Sequence, residues 1–135
     1  MSEWRFTKRV EVRFRDCDPM GHVNNAVYLT YLEVARFAYW RHVFPRQEEG
    51  GPGFILVRAE TDFRGQATMG DELDVRLAID RIGRSSFDFK GEIVRPKDDA
   101  LILESRVVMV MYDYAKAESV PVPDAVRARI EEFER

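Results

Sequence analysis

The sequence predicts an α+β fold: a curved antiparallel five-stranded sheet wrapped around one long central helix, with a short C-terminal helix. Three features predict it. Residues 25–42 are apolar around nearly the whole helical circumference, so the helix they form needs a concave apolar surface to lie in. The segments around that stretch alternate with the period of a half-buried strand. Most of those segments are joined by short polar turns, and consecutive hairpins make an antiparallel sheet.

Each element follows in order. Val10, Val12 and Phe14 alternate with Glu11, Arg13 and Arg15, which reads as a first strand. Pro19 and Gly21 stop it, because proline lacks a ladder donor and glycine permits turn dihedrals. In the helix, Thr30, Glu33, Arg36 and Arg41 project onto one narrow polar stripe, where Glu33 is placed to pair with Arg36 or Arg41. "FPRQEEGGPG" is a loop, and residues 54–63 are a second strand, followed by the loop "GQATMGD". Leu73, Val75, Leu77 and Ile79 form the buried face of a third strand. After the turn "IGRSS", Phe87, Phe89, Gly91 and Ile93 share one face of a fourth. "PKDDA" is a hairpin turn, and the run "VVMVM" marks a fifth strand, about residues 101–112, covered on both faces. Pro121 and Pro123 introduce the tail helix, with Asp124 in its first turn where the dipole favours an anion. A single layer of this kind leaves its helix partly open and its edge strands unpaired. Association of copies through a continued sheet relieves both.

The composition narrows the function. At 135 residues, with 45% apolar and 33% charged residues, the chain is expected to be one globular domain over residues 1–135. A net charge of −3 argues against a nucleic-acid partner. The lone Cys17, read as a small turn residue, excludes an intramolecular disulfide framework and fits a reducing compartment. No apolar run approaches the roughly 20 residues of a membrane helix, and the start "MSEWRFTKRV" lacks the apolar core of a signal peptide. A cytoplasmic protein with no membrane partner is expected. Two histidines and one cysteine without ligand spacing give no metal site. There is no G-x-S-x-G and no phosphate-cradling loop.

The stretch "RDCDPMGHVNNAVYL" concentrates the polar chemistry where a strand ends and the buried helix begins. The first amides of a helix lack internal partners and carry partial positive charge. Asn25 and its neighbours therefore present donors for a developing oxyanion. Asp18, ionised at neutral pH, lies just upstream and can approach the same point. A carboxylate facing a carbonyl held on a helix N-terminus is an acyl-transfer arrangement, in which one oxyanion donor contributes about 2.7–4 kcal/mol. The competing reading is structural: Asp16, Asp18, Asn24 and Asn25 are all good turn and cap formers. His22, taken alone, is equally a turn or packing residue. Composition leaves both readings open.

"DCDPMGHVNNAVYLTYLEVAR" resembles the signature of hotdog-fold acyl-CoA thioesterases of the 4-hydroxybenzoyl-CoA thioesterase type. "GDELDVRLAIDRIGRSSFDFKGEIVR" is similar to that family's central hairpin and "VPVPDAVRARIEE" to its tail, so the likeness covers nearly the full chain. The resemblance implies a long helix in a curled antiparallel sheet, hydrolysis of an acyl-CoA to acid and CoA, no cofactor beyond the CoA of the substrate, and a homodimer or homotetramer. It puts the catalytic aspartate at Asp18, as nucleophile or general base, and the backbone donor at Asn25. His22 and Asn24 belong to the "GHVNN" form of the motif. Members of the 4-hydroxybenzoyl type tend to carry apolar or aromatic residues after that glycine, so this form favours a fatty or other acyl group.

Around that centre, Tyr28 and Tyr31 are candidates for the acyl pocket, and they serve equally as plain core. Arg84 and Ser85 are candidates for the CoA phosphates or pantetheine, against the reading of Arg84 as a solvated turn arginine. Two other functions compete with hydrolysis. One is a hotdog hydratase or dehydratase using His22 and an acid. The other is a noncatalytic acyl-CoA-binding module.

Overall fold

The computed structural model describes residues 4–135; the first three residues of the charged opening segment lie outside the described residues. The elements are β1 (Phe6–Glu11), α1 (Asn25–Val43), β2 (Phe54–Phe63), β3 (Glu72–Ile82), β4 (Ser86–Arg95), β5 (Ala100–Asp113), β6 (Glu118–Ser119) and α2 (Asp124–Glu134). The strands form one antiparallel sheet in the order β1-β3-β4-β5-β2, and the two-residue β6 adds to β5.

The core lies between the inner face of this sheet and α1. Leu73, Val75, Leu77 and Ile79 of β3, Phe87, Phe89 and Ile93 of β4, and Val107, Met109 and Met111 of β5 are all buried against Tyr28, Leu32, Ala35 and Tyr39 of the helix. Each large side chain so buried stabilises the fold by about 1.5–3 kcal/mol. Gly91 sits in the middle of that face. A Cβ there would stand 2.8 Å from Leu77 Cδ2 and 3.3 Å from the Arg76 carbonyl, so its bare backbone makes room for the Leu77 side chain of β3. At the other end α2 is latched: Glu134 Oε2 accepts from the Tyr39 hydroxyl and, at 3.0 Å, from the Ile79 amide.

Several expectations are corrected. The first strand runs earlier than its alternation suggests. It ends at Glu11, and Phe14 stands exposed in a 3-10 turn, Phe14–Asp16, because buried Asp16 takes the Arg13 amide at 2.9 Å and pulls the chain out of the ladder. Hairpins join β3 to β4 and β4 to β5, as expected, and β2 is the exception. β2 pairs with β5 at the far edge, so the loop of residues 64–71 crosses the end of the sheet to reach β3. As expected of a single layer, the helix stays partly open, with Leu29, Val34 and Phe37 exposed in the protomer. Arg36 leaves the polar stripe and is buried against the sheet, and among the described residues Glu33 forms no ion pair with it or with Arg41. On β5 the second face is only partly covered: Val107, Met109 and Met111 are buried, while Val108 and Val110 are half-exposed.

Candidate active site

The motif folds into a short closed turn between the 3-10 turn and α1. Cys17 bridges to Val23, the Asp18 amide donates to the His22 carbonyl at 2.9 Å, and the Gly21 amide donates to the Asp18 carbonyl at 2.9 Å. Gly21 has φ +85°, a left-handed conformation that requires glycine although open space surrounds it. Asn24 then caps the helix, its Oδ1 accepting from the Ala26 amide at 2.9 Å. Asn25 is the first helical residue, and no acceptor among the described residues takes its amide. The helix thus opens on an unfilled donor at the positive end of its dipole.

The two acids of "DCD" part company. Asp16 is buried and saturated: Arg13 Nη2 donates at 2.8 Å, the Arg13 amide at 2.9 Å and the Tyr31 hydroxyl at 2.6 Å. Burial works against its charged form, but the bonds from Arg13 and Tyr31 outweigh it and hold the carboxyl at about 2. Asp18 is half-buried. Its Oδ1 accepts only from the Met20 amide, at 2.9 Å, in a local turn, and its other oxygen has no partner among the described residues. Asp18, His22, Asn24 and Asn25 therefore share one turn, with one carboxylate oxygen and one helical amide unengaged.

Behind this turn stands a buttress that sequence reasoning missed. The crossing loop of residues 64–71 meets the motif through the Val23 amide to the Ala67 carbonyl, 2.9 Å, and through a bridge between His22 and Thr68. Arg95 secures that loop from β4, donating to the Gln66 carbonyl at 3.0 Å and to Asp71 Oδ2 at 3.1 Å. Nothing in the linear spacing brings residues 66, 71 and 95 to residue 22; the sheet order does.

Of the remaining candidates, the two tyrosines brace the surroundings of the turn, and Arg84 and Ser85 lie far from it. Tyr28 is buried and its hydroxyl accepts the Ala67 amide at 3.0 Å. Tyr31 is buried on Asp16. Burial first, and for Tyr31 the bond to Asp16 next, raises both phenols above their ordinary range. Arg84 and Ser85 occupy the β3–β4 turn, where their carbonyls accept the Val122 and Met111 amides, each at 2.8 Å. That turn is at the opposite end of β3 from the crossing loop, about 33 Å away along an 11-residue strand, so one protomer does not bring them to Asp18. Cavities of about 480 and 300 Å³ open instead along the exposed flank of α1, and Asp18 lines neither. Among the described residues, no group of three or more His, Cys, Asp or Glu side chains is disposed to hold a metal, and no helix is long and apolar enough to cross a membrane.

Comparison with known proteins gives this turn its context. Residues 12–130 match the family model described as "Thioesterase-like superfamily". The chain belongs to the Thioesterase-like superfamily. A thioesterase from Thermus thermophilus, solved with coenzyme A and zinc, is 35% identical, with a TM-score of 0.87 over 99% of this chain and 97% of that one. The sheet and its helix are therefore a hotdog fold. Slr0204 from Synechocystis, a 1,4-dihydroxy-2-naphthoyl-CoA thioesterase, shares the fold at 22% identity, with a TM-score of 0.84 over 96% of this chain and 98% of that one. The acyl-CoA thioesterase YbgC of Helicobacter pylori is 37% identical over 73 residues, 53% of this chain and 53% of that protein. The chain thus spans about half the length of that curated relative.

Proposed function

We propose that this superfamily member hydrolyses an acyl-CoA thioester to the free acid and CoA at the turn that opens α1. One observation carries the reading: a single closed turn at a helix N-terminus leaves both an Asp18 carboxylate oxygen and the Asn25 amide unengaged. The thioester oxygen sits on that amide, and the helix dipole stabilises the oxyanion. Asp18 then serves in one of two ways. As nucleophile it attacks the carbonyl carbon, expels the CoA thiolate and leaves a mixed anhydride that water opens. As general base it takes a proton from a water that makes the same attack. Either route consumes one water and releases one thiol, and hydrolysis needs no other co-reactant. Asn24 and the crossing loop hold the turn in place, and His22 supports it through its carbonyl.

The setting we propose is a cytoplasmic homo-oligomer built on a dimer. The lone Cys17 suits a reducing compartment. β2 has a free edge, and Leu56, Val57 and Phe63 on it are exposed, as are Leu29, Val34 and Phe37 of α1. A self-complementary contact covers both at once.

A panel of acyl-CoAs with thiol detection tests the reaction. Free CoA should appear with the native chain and fall at least about 100-fold in Asp18→Asn, the loss typical of an essential catalytic group. Undiminished release in that variant, hydration of an enoyl-CoA without thiol release, or binding without turnover would each overturn it.

A further inference from the structure

Among the described residues, Ser105 Oγ is a buried side-chain oxygen with no hydrogen-bond partner. A buried hydroxyl left unpaired is destabilising, whereas a methyl group in its place carries no such cost. The position therefore calls for a partner that the free chain does not supply. Strand register fixes where the hydroxyl lies. Ser105 shares the inner face of β5 with Leu103, Val107 and Met109, all buried. Across β2 it faces Thr61, and across β4 it faces Gly91. A Cβ on Gly91 would stand 3.7 Å from Leu32 Cδ2, so this row sits beneath the second turn of α1. Leu103, the neighbouring row, pairs with Phe63, whose ring lies 6.0 Å from that of Tyr28 in the first turn.

Tyr28 and Leu32 follow Asn25 by one and two helical turns. At the helical rise this sets Ser105 level with a point about 5–10 Å along α1 from the proposed oxyanion donor. The seam above it is open beside the edge strand, where Leu29 of α1 and Ala59 and Phe63 of β2 are exposed. An acyl chain that starts at the Asn25 amide and runs down this seam passes over Ser105. A resident water fits poorly here. It needs two to four polar partners, and apart from Thr61 the side chains flanking Ser105 on this face, Leu103 and Val107, are apolar. A plain hydrocarbon chain leaves the hydroxyl unpaired, and a chain carrying an oxygen at that depth satisfies it.

We propose that Ser105 is a specificity residue, which hydrogen-bonds a hydroxyl or keto oxygen carried on the acyl chain several bonds beyond the thioester carbon. The inference rests on the hydrolysis reading above and names its substrate class. Ser105 touches no reacting atom; it selects and positions the chain. Straight-chain acyl-CoAs with one hydroxyl at carbon 5, 6, 7 or 8 test it, each compared with the chain that bears a methyl group there instead. In kcat/KM for CoA release, the native chain should favour at least one hydroxylated member over its methyl counterpart by about 10-fold or more, as a site built to bond a substrate hydroxyl does. Ser105→Ala should bring that ratio close to one. The ratio is the readout because a general loss of folding or catalysis moves both substrates alike. Thermal unfolding gives a second measurement: Ser105→Ala should keep the native midpoint or raise it, since an unpaired hydroxyl is removed. A midpoint lowered by several degrees would show that the hydroxyl has a partner in the free protein, and the proposal would fall. Equal turnover of every pair by the native chain, or a preference that survives in Ser105→Ala, would overturn it and leave hydrolysis standing. CoA release from no member of the panel, hydroxylated or plain, would overturn both.

Discussion

Asp16 and Asp18 stand two residues apart, share one chemistry and end in opposite situations. Asp16 is buried beneath Arg13 and Tyr31, and Asp18 keeps an oxygen free. The two are indistinguishable in "DCDP", where both suit a turn; only packing separates the structural acid from the candidate catalyst. Their consequences differ with pH. The Asp16 carboxyl sits at about 2 when folded, against about 3.9 in an unfolded chain. A depressed carboxyl stabilises the fold above its unfolded pKa, and that stabilisation, about 2 kcal/mol, is lost as pH falls from about 4 towards 2. Urea unfolding should therefore find Asp16→Asn less stable than the native chain at about pH 7, with the gap narrowing as pH falls below about 4 towards 2. A gap constant over that range would count against the pairing.

Helix α1 was legible from local pattern, and its observed span of Asn25–Val43 lies within one residue of the expected 25–42. The inner faces of β3 and β4 were equally plain, because alternation is a property of neighbouring residues. Strand order was not. Pairing β2 with β5 is decided by where a 19-residue helix sets the chain down after crossing the sheet. The loop that buttresses the site follows from that crossing, so Arg95 and Asp71 carried no local signal. At the helix entrance, the free Asn25 amide can be tested without disturbing the fold. Proline is tolerated at the first helical position, and Asn24 already has the extended backbone, φ −62° and ψ 137°, that precedes a proline. Asn25→Pro should lower kcat about 100- to 1,000-fold, as loss of one oxyanion donor does, with the thermal midpoint nearly unchanged. Full activity would remove the amide from the mechanism.

In the whole protomer the apolar count exceeds what one sheet can cover. Phe37 on α1 and Leu56, Val57 and Phe63 on β2 lie exposed. Phe37→Asp places a charge in that patch while removing little core packing. Sedimentation should show a folded monomer, and a dimer of native strength would put the interface elsewhere. The long helix, the inner faces of β3 and β4 and the polar turn before the helix were written in the linear chain, since each depends on residues a few positions apart. Which acid keeps a free oxygen and which loop braces the turn became definite only on folding. Those depend on strand order and on the depth at which the helix settles, and both arise from contacts between residues far apart in the chain.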